Sequence, residues 1–399
     1  MRRAWNRVLL LLGAALAAAA VTLALVVIGG RDPDWNGTVL LRWDRQRTAF
    51  EFMVRPQAAL DGPYVFREAH GYSIARMAQI DGHWRLQWTT LPVSAGARVG
   101  VQVDNPARTR FDVVLRAPAE PRSADVPRNP SRLLMLSDFE GQFDRFVALL
   151  QSQGVVDRDL HWTYGDGHVA LAGDFVDRGD NVIPLLWLIY RLEDEAARAG
   201  GRVHYVLGNH EMMGLNGNAG SWPQRMLASA QALGRDGQSQ VFSERSVLGQ
   251  WLRSKPVIAR IGDHLVMHGA LSDVFLRAGF SVDDANALAR PWLDRRRVFM
   301  PAAVQAVLGR AGVTRYRGLA DPKRQREADV SAHLRSATRR FGVQRVAIGH
   351  TIASDIALEH GGQLLRLDVH HKTQVPQAAL YEGGTLWRVY ADGRRVRLR

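Results

Sequence analysis

Five short segments carry residue types that hold divalent cations. They are Ser137-Asp138-Phe139-Glu140-Gly141, Gly173-Asp174-Phe175-Val176-Asp177-Arg178-Gly179, Gly208-Asn209-His210-Glu211, His268-Gly269 and Gly349-His350-Thr351. Imidazole and amide donors mixed with carboxylates suit borderline metals such as Mn, Fe or Zn. Two such ions about 3.5–4 Å apart can lower the pKa of a shared water and neutralise phosphate oxygens during in-line displacement. The chain contains no cysteine. Thiolate zinc sites, iron–sulfur clusters, disulfide frameworks and a cysteine nucleophile are therefore excluded.

Each segment follows an apolar run that must position it. Arg132–Leu136, His168–Leu171 and Arg202–Leu207 read as strands, and the apolar runs Leu265–Met267 and Val346–Ile348 read the same way. Phe143–Gln151 and Val182–Ala197 read as the helices between the first three. Strands alternating with helices predict a layered α/β domain. In open α/β sheets, ligands bind beyond the carboxyl ends of the strands, so five clusters placed there converge on one crevice. The adjoining glycines let the backbone turn sharply where a side chain would collide.

These segments resemble the calcineurin-like metallophosphoesterases, in particular the phosphoprotein-phosphatase branch. Arg315-Tyr316-Arg317-Gly318 and the run from Gly361 to Asp368 look more narrowly like the bacterial Shewanella-like protein phosphatases. The resemblance covers Arg132 to the C-terminus. It implies a four-layer α/β/β/α sandwich and two divalent metal ions, Mn foremost, with Fe, Zn or Mg as alternatives. Asp174 would bridge the ions, Asp138 and Glu140 would join it on the first, and Asn209, His268 and His350 would complete the second. His210 is the implied acid for the leaving oxygen, with Asp177 orienting its imidazole. Arg178, Arg317 and Asn209 are the expected phosphate contacts. The implied reaction is hydrolysis of phosphate monoesters, in phosphoproteins or small phosphoesters, by attack of a metal-bridging hydroxide. A diadenosine or nucleotide polyphosphate hydrolase shares these motifs, and a catalytically impaired, membrane-tethered binding protein is the other alternative. Asp177, Arg178 and His210 favour the enzyme, because they serve turnover rather than binding.

Two features depart from the family pattern. Its first motif reads Asp-x-His, and Glu140 stands at the third position here. A carboxylate can still ligate, and it favours harder cations such as Mn²⁺ or Mg²⁺ over Zn²⁺. The family's second histidine after the Gly-His motif is missing, since Ile352 follows Thr351. His370-His371 reads as a loop pair near the cleft.

The first 130 residues are organised differently. Residues 1–30 read as a membrane anchor: Val8 to Ile28 carries no charged residue and matches the ~20 apolar residues that a spanning helix needs. Arg2, Arg3 and Arg7 precede it. The positive-inside rule then predicts a single-pass inner-membrane protein with a cytoplasmic N-terminus and a periplasmic body. A cleavable signal peptide is the competing reading. Residues 31–116 show period-two alternation at Thr38–Leu41, Phe50–Val54, Val99–Val103 and Phe111–Leu115, punctuated by Asp61-Gly62-Pro63, Asp81-Gly82 and Asn105-Pro106. That pattern predicts a small all-β module. Residues 117–130 contain four prolines and are expected to form a linker with no packed element; 131–399 complete the chain as the phosphoesterase domain. The net charge is +13. Its basic patches do not interleave with aromatics as a nucleic-acid groove would, so no specific nucleic acid is expected. The expected partners are a phosphorylated substrate and, through the N-terminal helix, a membrane.

Overall fold

Residues 1–57 and 58–399 form two compact units of a computed structural model that describes residues 13, 38–44, 49–94, 96–118, 121, 123–295 and 300–399. The expected membrane segment Val8–Ile28 lies outside the described residues apart from Gly13. Among the described residues no helix is long and apolar enough to cross a membrane. In the first unit, β1 (Thr38–Asp44) pairs antiparallel with β2 (Ala49–Arg55).

In the second unit, β3 (Asp61–Glu68), β4 (Gly71–Ile80) and β5 (His83–Pro92) form an antiparallel meander, and β6 (Arg98–Gln102) pairs with β7 (Arg110–Val114). Asp81 and Gly82 join β4 to β5 with φ of 49° and 78°. Positive φ at both turn positions matches the twist of a two-residue hairpin, and aspartate followed by glycine tolerates it. Asp61-Gly62-Pro63 is not the expected turn. It lies within β3, where the register against β4 shifts between Asp61 and Tyr64, so the proline without an N–H sits in a bulge. The buried Asp61 carboxylate accepts hydroxyl hydrogens from Tyr64 and Ser229, tying β3 to the helix Gln224–Leu233.

A second helix holds this β-rich segment from another side. Val182–Arg198 buries Val182 through Leu192 without a break. A helix apolar around its whole circumference must be covered on every side. The strand β11 (Arg202–Tyr205) covers one side, while β3, β6 and β7 cover another. Trp187 is fully buried, and its Nε1–H donates to the Pro63 carbonyl at 2.8 Å.

The proline-rich stretch also departs from expectation. Asp125–Val126 forms β8, which pairs in parallel with Arg260–Ile261 of β12 (Ile258–Ile261). The pair falls between Pro121 and Pro127, so both residues keep the N–H that a ladder requires.

Two six-stranded sheets carry the candidate residues. The first has the order β11-β10-β9-β17-β18-β19, with β9 (Arg132–Leu136), β10 (His168–Leu171), β17 (Gln377–Glu382), β18 (Thr385–Tyr390) and β19 (Arg395–Arg397). The second has the order β15-β16-β14-β13-β12-β8, with β13 (His264–Met267), β14 (Arg345–Ile348), β15 (Ala357–Glu359) and β16 (Leu364–Arg366). β9, β10 and β11 are parallel neighbours, and so are β13, β14 and β16. Parallel strands buried on both faces read as continuous apolar runs, as Leu133–Leu136 does with every side chain buried. Their carboxyl ends lie along one edge of each sheet. Helix Val182–Arg198 packs on the first sheet, and Val282–Ala289 and Val330–Phe341 pack on the second. His264 of β13 meets Tyr381 of β17 with ring centroids 5.2 Å apart, so the two sheets touch face to face.

Trp187 gives a test of this packing. Trp187→Ala should lower stability by about 3–5 kcal/mol, the usual cost of truncating a buried aromatic. The guanidinium unfolding midpoint measures it. A shift below ~1 kcal/mol would mean that β3 does not fold with the body of the second unit.

Candidate metal and active site

The loops after the strands hold their residues in an unusual backbone conformation. Of the ten non-glycine residues with positive φ among the described residues, six lie here: Asp138 (57°), Glu140 (43°), Asp174 (59°), Asp177 (73°), Arg178 (56°) and His350 (64°). Such residues cost free energy, persist only where the surroundings over-determine them, and cluster at functional sites. Close approach adds to the constraint. A Cβ on Gly173 would lie 2.6 Å from the Gly208 nitrogen and 2.8 Å from His268 Nδ1, so the second and third loops meet with no room for a side chain.

Three donors from both sheets meet at the centre. Asp174 Oδ2 lies 2.9 Å from His268 Nε2, and His268 Nε2 lies 3.1 Å from His350 Nδ1. The opposite nitrogen of each ring is committed: His268 Nδ1–H donates to the Ala172 carbonyl at 2.8 Å, and His350 Nε2–H donates to the Arg315 carbonyl at 3.1 Å. Carbonyl oxygens only accept, so in the neutral rings the lone pairs of His268 Nε2 and His350 Nδ1 face each other and the carboxylate. Three electron-pair donors within 4.8 Å of one another form a cradle for a cation. Asn209, the first residue of the helix Asn209–Leu215, is buried beside it with no partner for Oδ1, and a buried amide oxygen without a donor fits a metal ligand. These residues suit a divalent ion.

The other carboxylates surround that cradle. Asp138 Oδ2 accepts from Ser137 Oγ at 2.5 Å and from the His350 N–H at 3.1 Å. Burial pushes the Asp138 carboxyl up to about 6. Glu140 is drawn to the Arg178 guanidinium and stands outside the three-donor group, and burial raises it to about 7 against the pull of Arg178. Burial opposes ionisation of Asp174 as well, yet His268 and His210 outweigh it and hold that carboxyl low. His210 Nδ1 lies 2.5 Å from Asp177 Oδ2, and its Nε2 lies 3.8 Å from Asp174 Oδ2 and 3.5 Å from the Arg178 guanidinium. Burial disfavours the imidazolium, but Asp174 and Asp177 carry His210 up to about 9. Arg317 reaches His350 Nδ1 at 3.4 Å from the other side.

Several residues that support the site were not singled out from the sequence. Glu211 is fully buried. Its Oε2 accepts from the N–H groups of Asp174 (2.9 Å) and Gly208 (2.7 Å). Its Oε1 accepts from the N–H groups of Phe175 (2.7 Å) and Val176 (3.3 Å) and from the Tyr205 hydroxyl (2.9 Å). One carboxylate thereby clamps the loop after β10 to the loop after β11. Its place directly after Asn209-His210 was the available signal. Asp368 is buried two residues beyond β16, with burial and the nearby Asp138 raising its carboxyl. Arg315 is half-buried with Nε unpaired and lines the cleft beside Asn209 and His350. His371, expected in a loop pair, is buried with its ring stacked 3.9 Å from Phe139.

Comparison with known proteins agrees with this arrangement. The profile described as calcineurin-like phosphoesterase matches residues 131–354. A Shewanella-like protein phosphatase 2 of Arabidopsis thaliana is 34% identical over 89 residues, covering 22% of this chain and 23% of that protein. The chain thus spans about a quarter of that relative's length. An uncharacterised protein of Schizosaccharomyces pombe is 26% identical over 229 residues, covering 56% of this chain and 67% of that protein. Among solved structures, a cold-active protein-tyrosine phosphatase of a psychrophile Shewanella species superposes with a TM-score of 0.74 at 28% identity, covering 86% of this chain and all of the other.

Glu211→Gln tests the clamp. An amide presents a donor toward N–H groups that need an acceptor, and hydrogen bonds to a charged group are worth about 1.5–3 kcal/mol each. Chemical denaturation in chelator should show a loss of about 3 kcal/mol. Calorimetric titration should show metal affinity weakened by about 10–100-fold, as when other supporting partners of metal ligands are removed. Unchanged values in both would remove Glu211 from this role.

Proposed function

The chain belongs to the calcineurin-like phosphoesterase family, and from that premise we propose that it hydrolyses phosphate monoesters of phosphoproteins. Metallophosphoesterases use a dinuclear metal centre, and a metal-dependent, phosphatase-type hydrolysis is the activity of this fold and site. The observation that carries the reading is the lone-pair cradle of Asp174, His268 and His350 beside the Asp177–His210 pair. The phosphatase relatives from Arabidopsis and Shewanella support the phosphoprotein class.

Asp138, Glu140 and Asp174 are assigned to one ion, and Asp174, Asn209, His268 and His350 to the other, with Mn²⁺ the first choice because carboxylates predominate at the first site. The bound ions supply Lewis-acid chemistry: they make water a better nucleophile at neutral pH and offset charge on the phosphate oxygens. With Nδ1–H donated to Asp177, charged His210 carries its second proton at Nε2, which Asp174 Oδ2 faces at 3.8 Å, and delivers it to the leaving oxygen. Asp177 holds the opposite nitrogen, which fixes the ring's orientation and favours its charged form. Arg178 reaches His210 and Arg317 reaches His350, and their planar forks match phosphate oxygens.

The full chain loaded with Mn²⁺ should hydrolyse p-nitrophenyl phosphate and lose that activity in excess chelator. Asp174→Asn should abolish turnover, and His210→Asn should lower kcat by about 10²–10⁴-fold, the usual contribution of a positioned acid. Wild-type rates in either variant would overturn the assignment. Asp177→Asn gives a separate readout. Removing the carboxylate lowers the affinity of His210 for its proton, so the alkaline limb of the kcat profile should move to lower pH. An unmoved limb would leave Asp177 with a structural role only.

A further inference from the structure

The cleft that opens from the candidate site has a one-sided charge. It encloses about 630 Å³ between Asn209 and His350 on one side and the segment 310–326 on the other. Six cations line it: Arg310, Arg315, Arg317, Lys323, Arg324 and Arg326; no carboxylate does. Arg315 and Arg317 stand nearest the metal ligands, as the contacts of their carbonyl and guanidinium with His350 show. The other four extend outward. Arg324 is paired with Asp321 at 3.2 Å, whereas Arg310, Lys323 and Arg326 form no ion pair among the described residues.

The outer cations are built into the same turn as the inner ones. The Asp321 N–H donates to the Arg317 carbonyl at 2.8 Å, and the Tyr316 hydroxyl donates to the buried Glu327 carboxylate at 2.6 Å. Gln325 Nε2 donates to the Glu327 carbonyl at 2.8 Å, and the Arg326 N–H donates to its carboxylate at 3.2 Å. The loop Lys323–Arg326 is therefore anchored at both ends to Arg315-Tyr316-Arg317. More cations are fixed here than one phosphate dianion can use, and apart from Arg324, which Asp321 offsets, they repel one another unless an anion enters. Tyr316 is buried and turned to Glu327, and the His350 ring is held between the Arg315 carbonyl and His268, so the lining presents no exposed phenyl, phenol or indole face on which a nucleobase could stack.

Building on the phosphatase reading above, we infer that the substrate is a phosphopeptide segment with acidic side chains beside the phosphorylated residue, and that Arg310, Lys323, Arg324 and Arg326 receive those side chains. An extended peptide fits an open cleft, and its flanking carboxylates reach beyond the pocket that takes the phosphate. Complementary charge of this kind acts on encounter and binding, so it enters through KM and weakens with salt.

Two phosphotyrosine peptides of equal length test this, one flanked by Asp and Glu and one by Ser and Gly, each with the Mn²⁺-loaded full chain. Binding is read by fluorescence anisotropy and turnover by phosphate release, with p-nitrophenyl phosphate as the reference substrate. The acidic peptide should be favoured about 10-fold at low salt in affinity and in kcat/KM, with kcat alike, and the preference should fade toward ~0.5 M salt, where screening shortens to a few Å. The triple variant Lys323→Ala, Arg324→Ala, Arg326→Ala should lose the low-salt preference and, at ~0.5 M salt, still hydrolyse p-nitrophenyl phosphate within about 2-fold of the wild-type rate, because screening at that salt isolates these exposed side chains from the phosphate pocket. Equal handling of the two peptides by the wild type, or an intact preference in the triple variant, would overturn the inference. So would a sugar bisphosphate preferred over the acidic peptide. Failure to turn over p-nitrophenyl phosphate would instead count against the phosphoesterase reading, and the anisotropy comparison would still decide between the two peptides.

Discussion

Asp138, Glu140, Asp174, Asp177, Glu211 and Asp368 crowd one pocket, and burial opposes the charged form of every one of them. Two unit charges 4 Å apart interact by about 4 kcal/mol at an effective dielectric of 20, so this group can exist only with positive partners. The protein supplies some of them. Backbone N–H groups satisfy Glu211, His268 and His210 lie against Asp174, and Arg178 meets Glu140. Asp138 and Asp368 keep raised pKa values, which shows that the internal compensation is incomplete. The same deficit drives His268 up to about 10 despite its complete burial. A cation that entered such a pocket would offset this charge, and whatever binds the folded state alone also stabilises it.

Concentrating charge in this way also dictates the backbone. Carboxylates can converge only if the loops turn back sharply at the strand ends, and Asp138, Glu140, Asp174 and Asp177 all take the left-handed conformation. Their strain must be held by something rigid. The clamp on Glu211 and the paired hydrogen bonds between the first two loops do this: the Asp138 and Glu140 N–H groups donate to the Gly173 and Asp174 carbonyls at 3.0 Å each. Buried parallel strands behind the loops supply the fixed frame.

The strand-end residues were legible because each follows a short apolar run, and a parallel sheet places the ends of such runs along one edge. Asp174, His268 and His350 meet across two sheets for that reason, although 176 residues separate the first from the last. What the sequence concealed depends on contacts between distant segments. Glu211 looked like one more residue of a motif, and its role as a clamp is visible only once the Asp174–Val176 backbone lies against it. The bulge at Asp61-Gly62-Pro63 carried every local sign of a turn. The extended apolar circumference of Val182–Leu192 was the clue that the β-rich segment from β3 onward packs on that helix. Proline content alone suggested an unpaired linker, whereas two residues between prolines sufficed for a ladder.

Glu140 ties the anionic pocket to a cation of its own. Its carboxylate and the Arg178 guanidinium pair with each other, while the other arm of Arg178 lies against His210. With Arg178 partly neutralised, the positive field at the mouth rests more on Arg315, Arg317 and the loop beyond them. An incoming dianion cannot approach the carboxylates of the pocket unless cations screen them. On the proposed assignment the two opposed fields would orient the substrate, with the phosphate at the carboxylate and imidazole pocket and the arginine-lined cleft facing whatever that phosphate is attached to. The +13 charge of the whole chain thus acquires a local meaning at this cleft, whose lining holds six cations, one of them offset by Asp321.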